Sequence, residues 1–480
     1  MKKYLIALLP ILALGACTKD LTSLNTNPKL FPSVPSTTLF TQAEHVFVNT
    51  HSSSNVNLNI FRLIEQHWQE TTYNDESLYN INGRNINGGV WNSYFRDVLN
   101  NLKLAKDAIP TDATIPDAGV KKNDIAIADI LQVHAFYYLV TTFGNIPYTQ
   151  AFDTKNNFPK YDDAATIYKD LLSRLNADIA ALNTGSASYG AADVIYGGSV
   201  TKWKKFANTL KLKMGMTIAD SDPTTAKTTV ESAVKDNGGV FTQNADNATF
   251  VYLSATPNTN PIWVDLVQSG RFDFVACSTL TDQLNVTSDP RSFKYFTNNF
   301  TPLLQGGLPG SKASYDNFSH ISPTVTAPTF PGLILDYAET ELYLAEAVER
   351  GFSVGGTAAD HYAAGVKASF DYWGAGDPTT YLAQPSVTYS SANYKKVIGF
   401  QHWLADYNRG WDAWIEQRRL DFPQLLAPTK AVGGYDATTP FPVRFNYPIA
   451  ESNVNGANYA AASTAIGGDV VTTKLFFDKN

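Results

Sequence analysis

The sequence predicts a mostly α-helical protein, in which a scaffold of paired helices carries one large irregular region and few short strands. Three observations lead to this fold class. Apolar residues recur at helical spacing in several long segments. Small residues at positions such as Ala128 and Ala135 let a neighbouring helix approach closely. Between about 221 and 334, Pro, Gly, Asn and Thr replace these patterns.

Residues 1–16 have the pattern of a secretory signal peptide. A cationic start is followed by an apolar run over residues 5–14 that is too short to span a membrane. The next residues, Leu14-Gly15-Ala16-Cys17, match the lipobox of bacterial lipoproteins, which predicts cleavage before Cys17 and acylation of its thiol. Residues 17–36 then form a lipidated flexible tether. The alternative is an ordinary secretory signal with an incidental cysteine.

The first part of the scaffold is expected from about residue 37 to 220. One apolar stripe begins at Trp91 and ends before Pro110, and a second ends at Gly144, followed by Pro147. A third helix is predicted over 165–182. The clearest amphipathic helix is formed by Trp203, Phe206, Ala207, Leu210, Met214 and Ile218. Repeated helix pairs of this kind predict a tetratricopeptide-like scaffold, although no strict period of about 34 residues is visible.

The second part of the scaffold is expected at about 335–425. Helices are predicted over 335–350, 361–372, 394–404 and 411–420. The segment 221–334 is predicted to be an irregular, ligand-facing region, and 426–480 an irregular tail. Residues 37–480 therefore form a single domain.

Composition narrows the classes of function. Only 17% of residues are charged, the net charge is -7, and Lys and Arg are scattered, so nucleic acid is not expected as a partner. Aromatic residues reach 12%, among many Asn, Thr and Ser, which favours binding of neutral polar ligands. With Cys17 lipidated, Cys277 has no disulfide partner and is expected to be a small buried apolar residue.

Several short motifs occur in a characteristic order. They are FGNIP at 143–147, WKKFANTLKLK at 203–213, DPR at 289–291, YAE with LAEA within 337–347, WDAW with two arginines within 411–419, and RFNYP at 444–448. Together they resemble the SusD/RagB-like family of outer-membrane nutrient-binding lipoproteins, most closely the SusD-like branch. Lys213 stands where the family commonly has Arg, and Phe476-Phe477 replace its closing tryptophans.

This resemblance implies a tetratricopeptide-like fold and a surface-exposed lipoprotein on the outer membrane. It implies a SusC-like TonB-dependent transporter as partner, and oligosaccharides or peptides as ligands. It implies no enzymatic activity and no cofactor. The alternative is a lipid-anchored extracytoplasmic hydrolase acting on glycans or peptides.

The candidate ligand site is the segment 73–84, interpreted as a loop between two helices. Sugar binding needs flat aromatic faces beside amide and guanidinium donors. The candidate ligand-binding residues are Tyr73, Asn74, Tyr79, Asn82 and Arg84, with Trp263 as a further candidate. The alternative is a solvated polar loop.

The other conspicuous side chains are interpreted as structural. Trp91 is expected in the core, and Trp411, Trp414 and Arg418 are expected to pack on one helical face. No catalytic motif is found. Glu65, His67 and Glu70 are placed on one helical stretch, but no further ligand completes a metal site.

Overall fold

The computed structural model describes residues 34–297, 302–425, 427–428 and 440–479. The predicted signal peptide and Cys17 lie outside these residues. The α-helices are α1 (Ser36–Ser52), α2 (Phe61–Ile64), α3 (Ile86–Asn92), α4 (Asn100–Ala108), α5 (Ala118–Phe143), α6 (Ala164–Ala181), α7 (Val200–Thr217), α8 (Pro223–Lys235), α9 (Pro261–Trp263), α10 (Ser278–Val286), α11 (Ser292–Tyr295), α12 (Tyr337–Glu349), α13 (Ala358–Trp373), α14 (Thr379–Leu382), α15 (Tyr394–Ala405), α16 (Gly410–Leu420), α17 (Ile449–Val454) and α18 (Gly456–Ala465). A π-helical segment, Ser93–Leu99, joins α3 to α4.

Helices that are neighbours in sequence pack as pairs, which confirms the predicted fold class. Helix α5 packs on α6, α7 on α8, α12 on α13, and α15 on α16. The helices predicted from apolar spacing all form, with ends that differ by a few residues from the predicted ones. Trp91, Trp411 and Trp414 are buried, as expected.

Helix α5 is buried along most of its length. Asp117 caps its first turn by accepting a hydrogen bond from the Val120 N–H at 2.9 Å. The helix ends at Gly144, which adopts a φ of +86°. Within the described residues it is the one helix long and apolar enough to cross a membrane, but 94% of its most apolar window is buried inside the protein. It is therefore a core helix.

The motif residues form buried ion pairs that join the scaffold helices. Lys213 of α7 contacts Asp412 of α16 at 2.5 Å, and Arg419 of α16 contacts Glu346 of α12 at 2.6 Å. Burial alone would raise the pKa of Glu346, but the charges of Arg419 and Arg350 outweigh it and lower that pKa to about 2. Because a buried charge without a partner is costly, each pair fixes the relative position of two helices.

Three small antiparallel sheets complete the described fold. The strands are β1 (Trp68–Glu70), β2 (Ile146–Pro147), β3 (Tyr161–Asp162), β4 (Ala248–Phe250), β5 (Phe274–Ala276) and β6 (Gly332–Leu335), paired as β1–β5, β2–β3 and β4–β6. In the β1–β5 pair, Glu70 is opposite Phe274 and Trp68 is opposite Ala276. This pair joins segments about 200 residues apart in the chain.

The irregular regions are more helical than predicted. The region 221–334 contains α8 and α10, and the tail contains α17 and α18. Helix α8 is rich in Thr, which has a low helix propensity, but it buries Ala226, Val230 and Ala233 and packs on α7. The start signal Asp222-Pro223 and the helical spacing of its buried residues explain why this helix forms despite its threonines.

Candidate ligand-binding site

The strand pair β1–β5 brings two distant segments to one open cavity of about 630 Å³, called here the Tyr73 cavity. It is lined by Ser54, Asn55, Val56, Asn57, Glu70, Tyr73, Arg84, Val264, Asp265, Ser269, Arg271, Asp273 and Phe274. The lining mixes aromatic, amide, hydroxyl and charged side chains. Such a surface can stack against a ring and exchange hydrogen bonds with hydroxyl groups.

Backbone hydrogen bonds extend the strand pair into the cavity wall. The Thr71 N–H donates to the Asp273 carbonyl at 2.9 Å, and Thr71 Oγ1 donates to the Phe272 carbonyl at 2.5 Å. Because Tyr73 follows two residues later, this connection fixes the Tyr73 loop beside Arg271. The two walls of the cavity are thus held together by β-sheet geometry.

Tyr73 and Arg84 form an exposed pair of an aromatic ring and a guanidinium group in this cavity. Tyr73 is 58% exposed, and the guanidinium carbon of Arg84 lies 5.8 Å from the centroid of its ring. Arg84 Nε donates to Glu76 Oε1, and the Glu76 side chain is fully buried. The buried carboxylate therefore orients the guanidinium beside the aromatic ring.

The charges of the cavity are largely compensated. Arg271 Nε donates to Asp273 Oδ2 at 2.6 Å, and Ser54 Oγ donates to Asp265 Oδ2 at 2.9 Å. Burial, followed by the nearby charge of Glu76, raises the pKa of Glu70 to about 9. Glu70 is therefore protonated at neutral pH, and the cavity presents little net charge to a ligand.

Two of the six residues predicted from sequence lie at the cavity and four do not. Tyr73 and Arg84 line it. Asn74 instead donates from Nδ2 to the Gly310 carbonyl at 2.8 Å, and Asn82 Oδ1 accepts from Asn87 Nδ2 at 3.1 Å. Trp263 is half-buried at the end of α9, and the residues that follow it reach the cavity in its place.

Tyr79 is not a surface residue, and its prediction as a ligand contact is wrong. Its side chain has no exposed surface, and its backbone adopts a φ of +62°. The Tyr79 hydroxyl accepts a hydrogen bond from Gln66 Nε2 at 3.0 Å, and its ring packs edge-on against Phe441 at 5.7 Å. The left-handed backbone turns Tyr79 into the core, a conformation that apolar spacing does not reveal.

The acidic and histidine residues near β1 do not share a helix, contrary to the sequence-based interpretation. Glu65 follows α2, and Glu70 ends β1. Over the described ranges, no group of three or more His, Cys, Asp or Glu side chains is arranged to hold a metal ion. Cys277 is buried, and burial raises the pKa of its thiol to about 12, as fits a structural residue.

Asp265 and Arg271 are among the cavity residues that sequence reasoning missed. Both lie in the region predicted to be irregular, where loops carry ligand contacts. The loop-like composition of this region was only a weak indication of ligand contact. The proximity of both residues to Tyr73 depends on the β1–β5 register. Short strands separated by about 200 residues leave no local pattern from which that register could be read.

The architecture is that of a helical scaffold whose loops carry an open, partly aromatic cavity with mostly paired charges. The family model described as "Starch-binding associating with outer membrane", of the SusD-like type, matches residues 28–448. The chain belongs to the SusD-like family. In sequence, no curated protein matches it.

Solved structures share this fold. A chitin-binding protein is 25% identical, with a TM-score of 0.79 over 93% of this chain and 100% of that one. A SusD homolog from Bacteroides uniformis is also 25% identical, with a TM-score of 0.79 over 92% and 99%. A chitin-binding SusD homolog from Flavobacterium johnsoniae is 23% identical, with a TM-score of 0.77 over 92% and 99%.

Proposed function

We propose that this protein binds neutral oligosaccharides in the Tyr73 cavity and delivers them to a SusC-like TonB-dependent transporter in the outer membrane. The observation that carries the proposal is an exposed tyrosine beside an oriented guanidinium, in a cavity with compensated charge. Family membership supports it, since the family is described as starch-binding and two similar structures are called chitin-binding.

The chemistry of the lining favours sugars over charged ligands. Tyr73 offers a flat face to the apolar side of a pyranose ring, while Arg84 and Asn55 offer donors to its hydroxyls. A strongly anionic or cationic ligand would have to compete with the ion pairs Arg84–Glu76 and Arg271–Asp273. Peptides remain the second class of ligand to test.

The first experiment measures binding and turnover on one panel. Chito-oligosaccharides, malto-oligosaccharides and a neutral peptide mixture are titrated into the purified protein by calorimetry, and each mixture is then analysed for shorter products. We expect binding to at least one oligosaccharide series without products. Product release would favour the hydrolase alternative, and binding of peptides alone would refute the glycan proposal.

We propose further that Cys17 anchors the chain to the outer membrane, because it follows a lipobox. Three acyl chains hold a protein on a bilayer far more firmly than one. In a bacterium with an outer membrane, the wild type should fractionate with that membrane, and Cys17→Ser should leave it unprocessed or released. Cys277→Ser is the matched control and should fractionate like the wild type. Unchanged membrane retention of Cys17→Ser would contradict the anchor.

The proposed transporter contact is tested on the same membranes. A tagged wild-type protein, extracted in mild detergent, should co-purify with a TonB-dependent transporter identified by mass spectrometry. Recovery of the tagged protein without any such transporter would contradict this partner.

A further inference from the structure

A turn of the irregular region lies behind the loop that carries Tyr73. It comprises residues 307–313 and is called here the Gly310 turn. At its start, the Gly307 N–H donates to the Ala276 carbonyl at 2.8 Å, and the Gly307 carbonyl accepts the Ser278 N–H at 2.8 Å. The turn is therefore attached to the end of β5.

The buried side chain of Gln69 attaches the same turn to β1. Gln69 is only 1% exposed. Its Oε1 accepts the Gly310 N–H at 2.9 Å, and its Nε2 donates to the Ser311 carbonyl at 2.7 Å. Because a buried amide left without partners is costly, these bonds hold the turn in one position against the strand pair.

Gly310 occupies a place where only glycine fits. Its φ is +71°, and an added Cβ would lie 2.6 Å from Pro428 Cβ and 2.7 Å from Leu78 Cδ2. The close contact with Leu78 brings the turn directly against the loop 73–84. The Gly310 carbonyl is thus an acceptor at a fixed position beside that loop.

Asn74 connects the loop to this acceptor. Its half-buried side chain donates from Nδ2 to the Gly310 carbonyl at 2.8 Å, and neither residue lines the Tyr73 cavity. On the other side of Tyr73, the Thr71 N–H donates to the Asp273 carbonyl at 2.9 Å. Tyr73 therefore lies between two anchored residues.

We infer that Asn74 is a positioning residue for the ligand: its hydrogen bond to Gly310 holds the Tyr73 ring where it stacks on a sugar, and Asn74 itself does not contact the ligand. This inference rests on the proposed function, because it assumes that Tyr73 contacts the ligand. Without the anchor, the loop must be ordered when the ligand binds, and this ordering lowers the affinity.

The test is a double-mutant cycle between Asn74→Ala and Tyr73→Ala in the full mature protein. Affinity is measured by calorimetry for chitohexaose and maltohexaose. Asn74→Ala alone should weaken binding roughly threefold, and no more than Tyr73→Ala does. Because Asn74 acts through the Tyr73 ring, it should have no further effect in the Tyr73→Ala background.

Asn244→Ala is the matched control. Asn244 is also half-buried, donates from Nδ2 to the Ala368 carbonyl at 2.9 Å and does not line the cavity. Its loss should leave affinity unchanged in both backgrounds. Since Asn74→Ala and Asn244→Ala each remove one hydrogen bond of the same kind, their Tm values should be similar. A difference in affinity between them therefore reports position and not stability.

The outcomes are distinguishable. Wild-type affinity of Asn74→Ala, equal weakening by Asn244→Ala, or additive losses in the cycle would overturn the positioning role and leave the proposed function standing. A wild type that binds neither oligosaccharide would overturn both.

Discussion

Two tyrosines of one loop have opposite environments. Tyr73 projects from the loop into solvent, whereas Tyr79 supports it from inside, held by Gln66 and Phe441. The buried ring fixes the loop on which the exposed ring is presented. Binding and stability are therefore carried by different residues.

We predict that Tyr79→Ala lowers the free energy of unfolding by about 3–5 kcal/mol, because it empties a fully buried aromatic site. Tyr79→Phe keeps the ring and should cost only about 1 kcal/mol. Denaturant unfolding monitored by circular dichroism measures both. A Tyr79→Ala variant as stable as the wild type would contradict the buried position.

A second prediction at the scale of residues concerns the protonated carboxyl of Glu70. A glutamate whose pKa is raised on folding stabilises the protein below its unfolded pKa of about 4.3, and this contribution is lost as pH rises towards about 9. Glu70→Gln keeps an oxygen to accept the Ser77 hydrogen bonds, at 2.9 Å in the wild type, and has no proton to lose.

We therefore expect the Tm of Glu70→Gln to exceed that of the wild type at about pH 9, by the equivalent of about 1 kcal/mol or more, and to match it near pH 5. Scanning calorimetry across this range is the measurement. Parallel Tm curves for the two proteins would show that Glu70 is ionised in the fold.

At the scale of elements, the end of α5 depends on one glycine. Gly144 has a φ of +86°, and an added Cβ would lie 2.9 Å from Leu475 Cδ2. Both the backbone conformation and the close approach disfavour any other residue. The glycine thereby lets the chain turn out of α5 in close contact with Leu475.

Gly144→Ala should lower the free energy of unfolding by about 1–3 kcal/mol. Gly456 is the matched control, since an added Cβ there meets no atom within 4 Å and its φ is not positive. Gly456→Ala, at the start of α18, should be neutral or slightly stabilising in the same denaturant titration. Equal effects of the two substitutions would contradict the role of Gly144.

Most of the long helices were predictable from sequence because they carry their own apolar spacing and end signals. The apolar spacing that begins at Trp203 is sufficient to identify α7, and Gly144 marks the end of α5. The strands were not predictable, because β1 and β5 are three residues long and pair across about 200 residues. Nothing local specifies that register.

The candidate site, like the fold, was only partly predictable from sequence. The aromatic and polar composition of 73–84 pointed to Tyr73 and Arg84, which line the cavity. It could not separate Tyr73 from Tyr79, because the difference is set by the backbone angle at Tyr79. The presence of Asp265 at the cavity depends on the pairing of β1 with β5, which are about 200 residues apart.

Over the whole molecule, the most deeply buried ion pairs of the described chain lie in the scaffold. Lys213, Arg291, Arg409 and Arg419 are all buried with carboxylate partners between or beside scaffold elements. The loops around the Tyr73 cavity carry the exposed aromatic and amide groups instead. The helices thus provide rigidity, and the loops provide recognition.

The central claim is that Tyr73 contacts the ligand, and calorimetric affinity of Tyr73→Ala for the bound oligosaccharide tests it most directly. Phe158→Ala is the matched control, because Phe158 is equally exposed at 58% and does not line the cavity. Stacking contributes about 1 kcal/mol, so Tyr73→Ala should bind roughly fivefold more weakly, while Phe158→Ala binds like the wild type. A folded Tyr73→Ala variant with wild-type affinity would contradict the account.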